Sequence, residues 1–160
     1  MNPAKYQQKA DHACGASCVR IVLDHFGERP PSERTLLKIL HADFKTGIEP
    51  WRMARYLERK GFDAVYKCES GFTALRKRFE KGWIPIICWM DWDGHYCVVT
   101  TINSEMIRLA DPAASYDDRP DGWTTTSVDR FKAMWSTPHT RNLREVIYVQ
   151  ARDFLVGNEE

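Results

Sequence analysis

Four side chains in this sequence have the types and spacing that acyl transfer through a thiol needs: Gln8, Cys14, His95 and Asp111. Cys14 is followed by Gly15 at the point where Val19, Val22, Leu23 and Phe26 begin to recur at helical spacing. A free thiol, with a pKa of roughly 8.5, is only partly ionised near neutrality, and the thiolate is the attacking species. The positive end of a helix starting at Cys14, together with a neighbouring imidazolium, would lower that pKa. His95, which opens the run His-Tyr-Cys-Val-Val-Thr, is the candidate base, and Asp111, before Pro112, the carboxylate that would hold its ring in one tautomer. Attack on a carbonyl builds charge on oxygen, and the amide of Gln8 with the backbone N–H of Cys14 would receive it.

Charge and composition narrow the partners. With 160 residues and 43% apolar side chains, the chain has the size and core of one domain, expected to span 1–160. Its 23 basic and 22 acidic residues are interspersed and leave a net charge of +1, which gives no footprint for nucleic acid or anionic lipid. A peptide or protein substrate is expected. No apolar run is long enough to span a bilayer, and residues 1–8 are too polar for a signal peptide, so the expectation is a cytoplasmic location without membrane insertion. Five cysteines at irregular spacing argue for reduced thiols rather than a disulfide framework. Neither paired ligands at zinc-finger spacing nor a second cluster is present, and no cofactor or resident metal is expected.

The elements that must bring these groups together fall into a helical half followed by a β half. A helix over 14–26 carries the thiol and stops at Gly27. A second begins after Ser32 and runs through Leu36, Leu37, Ile39 and Leu40. A third opens at Glu49-Pro50 and ends at Lys60-Gly61. Residues 62–66 alternate as a strand, and Ser70 is expected to cap a helix through Leu75 and Phe79. Then 85–90, 95–102 and 106–110 read as an antiparallel meander, with turns at Asp91-Trp92-Asp93-Gly94 and Asn103-Ser104. If His95 opens one strand and Asp111 follows its neighbour, both lie at the same edge of the sheet. Residues 112–125 show no periodicity and read as a loop that could border a substrate groove; a helix over 127–134, a polar stretch to Asn142 and a strand over 145–149 complete the chain. Trp83, Trp89 and Trp92 are candidates for an aromatic wall or for core packing, and Arg76-Lys77-Arg78 for a solvated helix face.

The constellation resembles the papain-like cysteine peptidases that remove double-glycine leaders from bacteriocin and related precursors. The resemblance rests on Gln8, Cys14-Gly15, His95-Tyr96 followed by Val98-Val99, and Asp111-Pro112; more loosely it includes Gly47, Gly61-Phe62 and the stretch from Gly82 to Ile87 with Pro85. It covers about residues 5–115. It implies an α+β papain-like fold, a helical half carrying the nucleophile packed on an antiparallel sheet. It also implies Cys14 as nucleophile, His95 as base, Asp111 as orienting acid, Gln8 as oxyanion donor, cleavage of a peptide or isopeptide bond after a small residue such as Gly, and association with an export or secretion system. The chain departs from the family pattern at Asp11-His12-Ala13-Cys14, where the acid stands three residues before the thiol instead of next to it. Two other functions fit the same residues: an acyltransferase or deamidase acting as an effector or toxin, and a catalytically silent module that binds peptides.

Overall fold

The computed structural model describes residues 1–68, 70–89, 94–135 and 144–152. A short 3-10 turn, Pro3–Tyr6, precedes three helices: α1 (Cys14–His25), α2 (Glu33–Ile39) and α3 (Pro50–Arg59). Strand β1 (Phe62–Lys67) and helix α4 (Phe72–Glu80) follow, then β2 (Ile84–Trp89), β3 (His95–Ile102) and β4 (Met106–Ala110). A second 3-10 turn (Ala114–Asp117) leads to β5 (Trp123–Ser127), α5 (Val128–Met134) and β6 (Val146–Ala151). The strands form one antiparallel sheet in the order β1-β6-β2-β3-β4-β5.

Alternation along the central strands explains how helices cover both faces of this sheet. Ile86, Cys88, Tyr96, Val98, Ile147 and Val149 point to one side, where they meet α1, α2 and α3 in the larger core. Ile87, Trp89, Cys97, Val99, Val146 and Tyr148 point to the other, where Leu75 of α4 and Phe131 of α5 close a second core with Trp135. A strand buried on both faces has no polar side to present, which is why β2 reads Ile-Pro-Ile-Ile-Cys-Trp without alternation. The α+β architecture expected from the sequence is present, and the sheet carries helices on a second face as well.

Local chemistry sets the ends of the elements. Ser32 accepts the amide of Thr35 at 3.1 Å and Ser127 that of Arg130 at 3.2 Å, as helix N-caps do. Asn103 turns β3 into β4 by accepting the amides of Glu105 and Met106 through its side-chain oxygen, at 2.9 and 2.7 Å. Two expectations are corrected. Gly71, not Ser70, is the N-cap of α4, because the Ser70 hydroxyl is turned inward to Tyr148 Oη at 3.0 Å. The segment 112–125 is not a plain loop: Trp-Thr-Thr-Thr-Ser, rich in β-branched residues, pairs with β4 from Met106↔Ser127 to Ala110↔Trp123. Of the expected turn at 91–94 only Gly94 lies among the described residues; Trp92, Asp93, His139 and Asn142 lie outside them.

Two glycines are needed for space. A Cβ on Gly15 would stand 2.9 Å from Met53 Sδ, so α1 and α3 pack too closely there for a larger residue, although a flexible thioether can yield. Gly122 combines a φ of +77° with a Cβ position 2.7 Å from the Pro3 carbonyl carbon and 2.8 Å from the Ala4 nitrogen, both rigid backbone. Gly122→Ala is therefore expected to destabilise the fold by about 2 kcal/mol or more, lowering the melting temperature by roughly 4–8 °C. Gly15→Ala should cost less, and parallel thermal melts of the two variants check that order.

Candidate active site

The first residue of α1 is Cys14, and its position gives the sulfur two kinds of help. The backbone N–H groups of Tyr96 and Gly15 reach it, and the unpaired amides of the helix start add their positive potential. Burial pushes the Cys14 thiol up, while its hydrogen bond to His95 and the charge of that ring pull it down, and the balance falls below the ordinary thiol value. The neighbours respond differently. Burial drives Cys18 well above the ordinary value and takes Cys88 and Cys97 to about 12. Of the four buried cysteines, Cys14 alone is shifted toward thiolate.

His95 is the first residue of β3, and its ring bridges sheet and helix. Its Nε2 lies 2.7 Å from Asp111 Oδ1, which leaves Nδ1 for the thiol. The neutral ring thus donates through Nε2–H to the carboxylate and can take the Cys14 proton at Nδ1. Burial opposes an imidazolium, but the Cys97 sulfur and hydrogen bonds with Asp111 and Cys14 outweigh it, and His95 sits well above the ordinary imidazole value. Cys97 is itself still a thiol near neutrality, so the charge that sustains an imidazolium there is that of Asp111.

Asp111 follows β4 at the edge where β3 begins, as strand order predicts, and it is held from four sides. Oδ1 accepts His95 Nε2–H and the Ala113 amide, the latter at 2.9 Å; Oδ2 accepts the Thr124 hydroxyl at 2.5 Å and stands 3.7 Å from Arg119 Nη2. Burial would raise its pKa, but His95, Thr124 and Ala113 lower it to about 2. Arg119 also donates to Thr124 and, at 2.5 Å, to Asp117. Thr124 and Arg119 are missed by the sequence reading because they sit in the stretch taken for a loop; the run of threonines at 124–126 was the available sign of a strand there.

Gln8 lies in the N-terminal segment that runs into α1, buried, with its backbone amide on the Pro112 carbonyl at 2.8 Å. Its Nε2 donates to the carbonyls of Ala10 and Asp11, both at 3.1 Å, and its Oε1 has no partner among the described residues. Gln7, unremarked in the sequence, clamps the same segment: its amide donates to the Asp111 carbonyl at 2.8 Å and its oxygen accepts the Ser115 amide at 2.9 Å. Glu33 holds the other side through the Lys9 amide at 3.1 Å and the Ser17 hydroxyl at 3.3 Å. Of the candidate tryptophans, the two that are described serve packing: Trp89 is a core residue beside Phe131, and Trp83 lies under the guanidinium of Arg78.

This arrangement, a lowered thiol against a raised imidazole backed by a buried carboxylate, suits nucleophilic attack on an acyl group. Comparison with known proteins agrees. Solved structures share the fold: the peptidase domain of Streptococcus ComA, described as a bi-functional ABC transporter involved in quorum sensing, superposes with a TM-score of 0.70 at 18% identity over 91% of this chain and 96% of that one. A double-glycine-motif protease domain of an AMS/PCAT transporter, solved with its leader peptide, gives 0.64 at 14% identity over 91% and 89%. The probable functional amyloid protease FapD of Pseudomonas aeruginosa is 27% identical over 118 residues, 69% of this chain, which thereby spans about half of that relative's length. The sequence profile of the peptidase C39 family matches residues 4–139, and with so much of it covered the chain belongs to that family of cysteine peptidases.

Proposed function

We propose that this chain cleaves a peptide or isopeptide bond after a small residue, the second glycine of a double-glycine leader junction, by way of an acyl-thiol intermediate. The 2.7 Å contact between His95 and Asp111, with the ring's other nitrogen turned to Cys14, carries the reading. In it, Cys14 attacks as thiolate while His95 holds the proton. The carbonyl carbon gains the sulfur, and its oxygen becomes an anion near the Cys14 backbone N–H. Collapse expels the amine, which takes the proton from His95. Water then gives a proton to His95 and its hydroxyl to the acyl carbon, and the thiol is restored.

Support for the leader junction comes from the relatives: one solved structure is of a double-glycine-motif protease holding a leader peptide. The relative named as a probable functional amyloid protease admits a protein as well as a peptide substrate. The transporter domains among the solved structures suit a site that works beside an export system on the cytoplasmic side. The test is hydrolysis of peptides spanning a Gly-Gly junction, read by mass spectrometry of both products. A cut directly after Gly-Gly that disappears when the second glycine becomes valine supports the proposal; cutting elsewhere, or amide-to-acid conversion of a side chain without chain cleavage, replaces it with another specificity or with a deamidase.

Gln8 is the oxyanion donor in this reading. Its Nε2 carries two hydrogens, so serving the oxyanion requires it to share or release one of the loop carbonyls it now meets. Gln8→Ala is expected to lower kcat by about a hundredfold, near 3 kcal/mol, with little change in KM. An unchanged kcat would assign the donor to the backbone alone.

A further inference from the structure

Cys97 has no part in the chemistry above, yet it sits against it. Val98 pairs with Ala110, so the antiparallel register carried one step further sets Cys97 opposite Asp111; His95, two residues before Cys97, shares its side of the strand. The result is a cluster of three buried groups, His95, Cys97 and Asp111, whose ligand atoms all lie within 4.8 Å of one another. Cys97 is fully enclosed in the second core, while His95 and Cys14 each keep 9% of their surface exposed.

We propose that His95, Cys97 and Asp111 form a site for a thiophilic divalent cation of the Zn²⁺ class, which on binding blocks the cysteine peptidase. One nitrogen, one sulfur and one carboxylate oxygen are a mixed donor set suited to such an ion, and a tetrahedral shell with bonds of roughly 2.0–2.3 Å separates its ligands by about 3.3–3.8 Å. The present spread, from the 2.7 Å of the His95–Asp111 pair to the 4.8 Å limit, brackets that spacing, so side-chain shifts of about an ångström suffice. The fourth position is left to water. The Thr124 hydroxyl already holds the other carboxylate oxygen at 2.5 Å, an outer contact of the kind that orients a metal-binding carboxylate.

Binding exchanges protons for the ion. The Cys97 thiol loses its proton, and the imidazolium loses the one on Nε2 that it shares with Asp111; both go to solvent, and the ion's two positive charges replace them. The proton on Nδ1 remains with the ring, facing Cys14. A metal-bound imidazole of this kind cannot take a second proton or orient against Asp111, so both acylation and deacylation stop. Because protons are released, the ion binds more tightly as pH rises.

The inhibitory consequence rests on the function proposed above, whereas the binding does not, and the experiment separates them. Under reducing, oxygen-free conditions Co²⁺ alone is titrated into Cys14→Ala protein, which removes the cleft thiol as a source of signal, and thiolate-to-cobalt charge transfer is followed in the near ultraviolet. One equivalent should bring up the band, and Cys14→Ala/Cys97→Val should lose it, with affinity falling on the order of a hundredfold or more. Cys97→Ser, close to cysteine in size but a poor ligand, stands in if the valine variant does not fold by circular dichroism. In parallel, Zn²⁺ is titrated against the peptidase activity of the wild type and of Cys97→Val, each scaled to its own metal-free rate; the variant should need at least about tenfold more Zn²⁺ for half-inhibition. No band in Cys14→Ala, or a band that survives loss of Cys97, overturns the site. A band that follows Cys97 in a protein without measurable peptidase activity upholds the site and sinks the functional reading instead.

Discussion

Cys14→Ala is expected to fold normally and to have no measurable turnover, a loss on the order of 10⁴-fold or more, and His95→Ala to match it. Each residue holds one of the two functions that make the thiol a nucleophile, and neither function has a second source among the described residues. The buried cysteines cannot substitute, since burial keeps Cys88 and Cys97 as thiols with values of about 12 and Cys18 higher than its ordinary range. The same contrast supplies a test that needs no substrate. Alkylation by iodoacetamide, followed by mass spectrometry of each cysteine, should find Cys14 reacting below pH 7, well ahead of the buried Cys18, Cys88 and Cys97. In His95→Ala the burial that opposes the Cys14 thiolate remains while the hydrogen bond and charge that overcome it are gone. Its reaction should then shift to higher pH than in the wild type. Fast alkylation of Cys14 in that variant, or turnover in Cys14→Ala within tenfold of wild type, would remove the thiolate-imidazolium pair from the mechanism.

The second large effect is on pH dependence. In the proposed mechanism the active form has a thiolate and an imidazolium, so the rate should rise as the pair loses its first proton and fall as it loses its second, a bell whose two limbs belong to the pair jointly. Cys14 is lowered and His95 raised, which sets the acid limb below the ordinary thiol range and the alkaline limb above the ordinary imidazole range. Asp111, ionised down to about pH 2, holds the alkaline limb up. Asp111→Asn keeps an oxygen to accept Nε2–H but removes the charge. The sign follows directly: a less stabilised imidazolium deprotonates at lower pH, so the bell narrows from its alkaline side while the acid limb moves little. The maximum rate should drop by roughly 10- to 100-fold, less than for Cys14→Ala, because orientation is retained. An alkaline limb that stays in place in Asp111→Asn would mean that the carboxylate orients the ring without sustaining its charge.

How much of this could be read beforehand depended on which physical signal each residue carried. The extent of α1 was legible because an apolar period of 3.6 begins at Cys14 and Gly27 stops it, and Pro50 marks the opening of α3. The meeting of His95 with Asp111 was legible from strand order alone, since a residue opening one strand and a residue following its antiparallel neighbour share an edge. What escaped was tertiary. Thr124 and Arg119 hold the carboxylate from a segment whose prolines, aspartates and glycine mask a strand that pairing with β4 stabilises. Ser70 has the chemistry of a helix cap, and only the presence of Tyr148 across the second core turns it inward. Gly122 reads as a turn residue; that its missing side chain makes room for Pro3 and Ala4 depends on two segments far apart in the chain. Gln7 and Gln8 differ by one position and in which neighbours they serve, a distinction that no spacing encodes.

The place of β6 in the sheet has a temporal meaning. Although it is the last strand in chain order, it lies between β1 and β2 and makes hydrogen bonds to both. Until residues 146–151 emerge from the ribosome, the thiol-bearing helices with β1 and the meander with His95 have no shared backbone ladder between them. Before then the packing of α1 on β3 has to hold nucleophile and base together, while β1 and β2 each present an open edge. Insertion of that one strand completes the ladder between β1 and β2 and covers both of those edges at once.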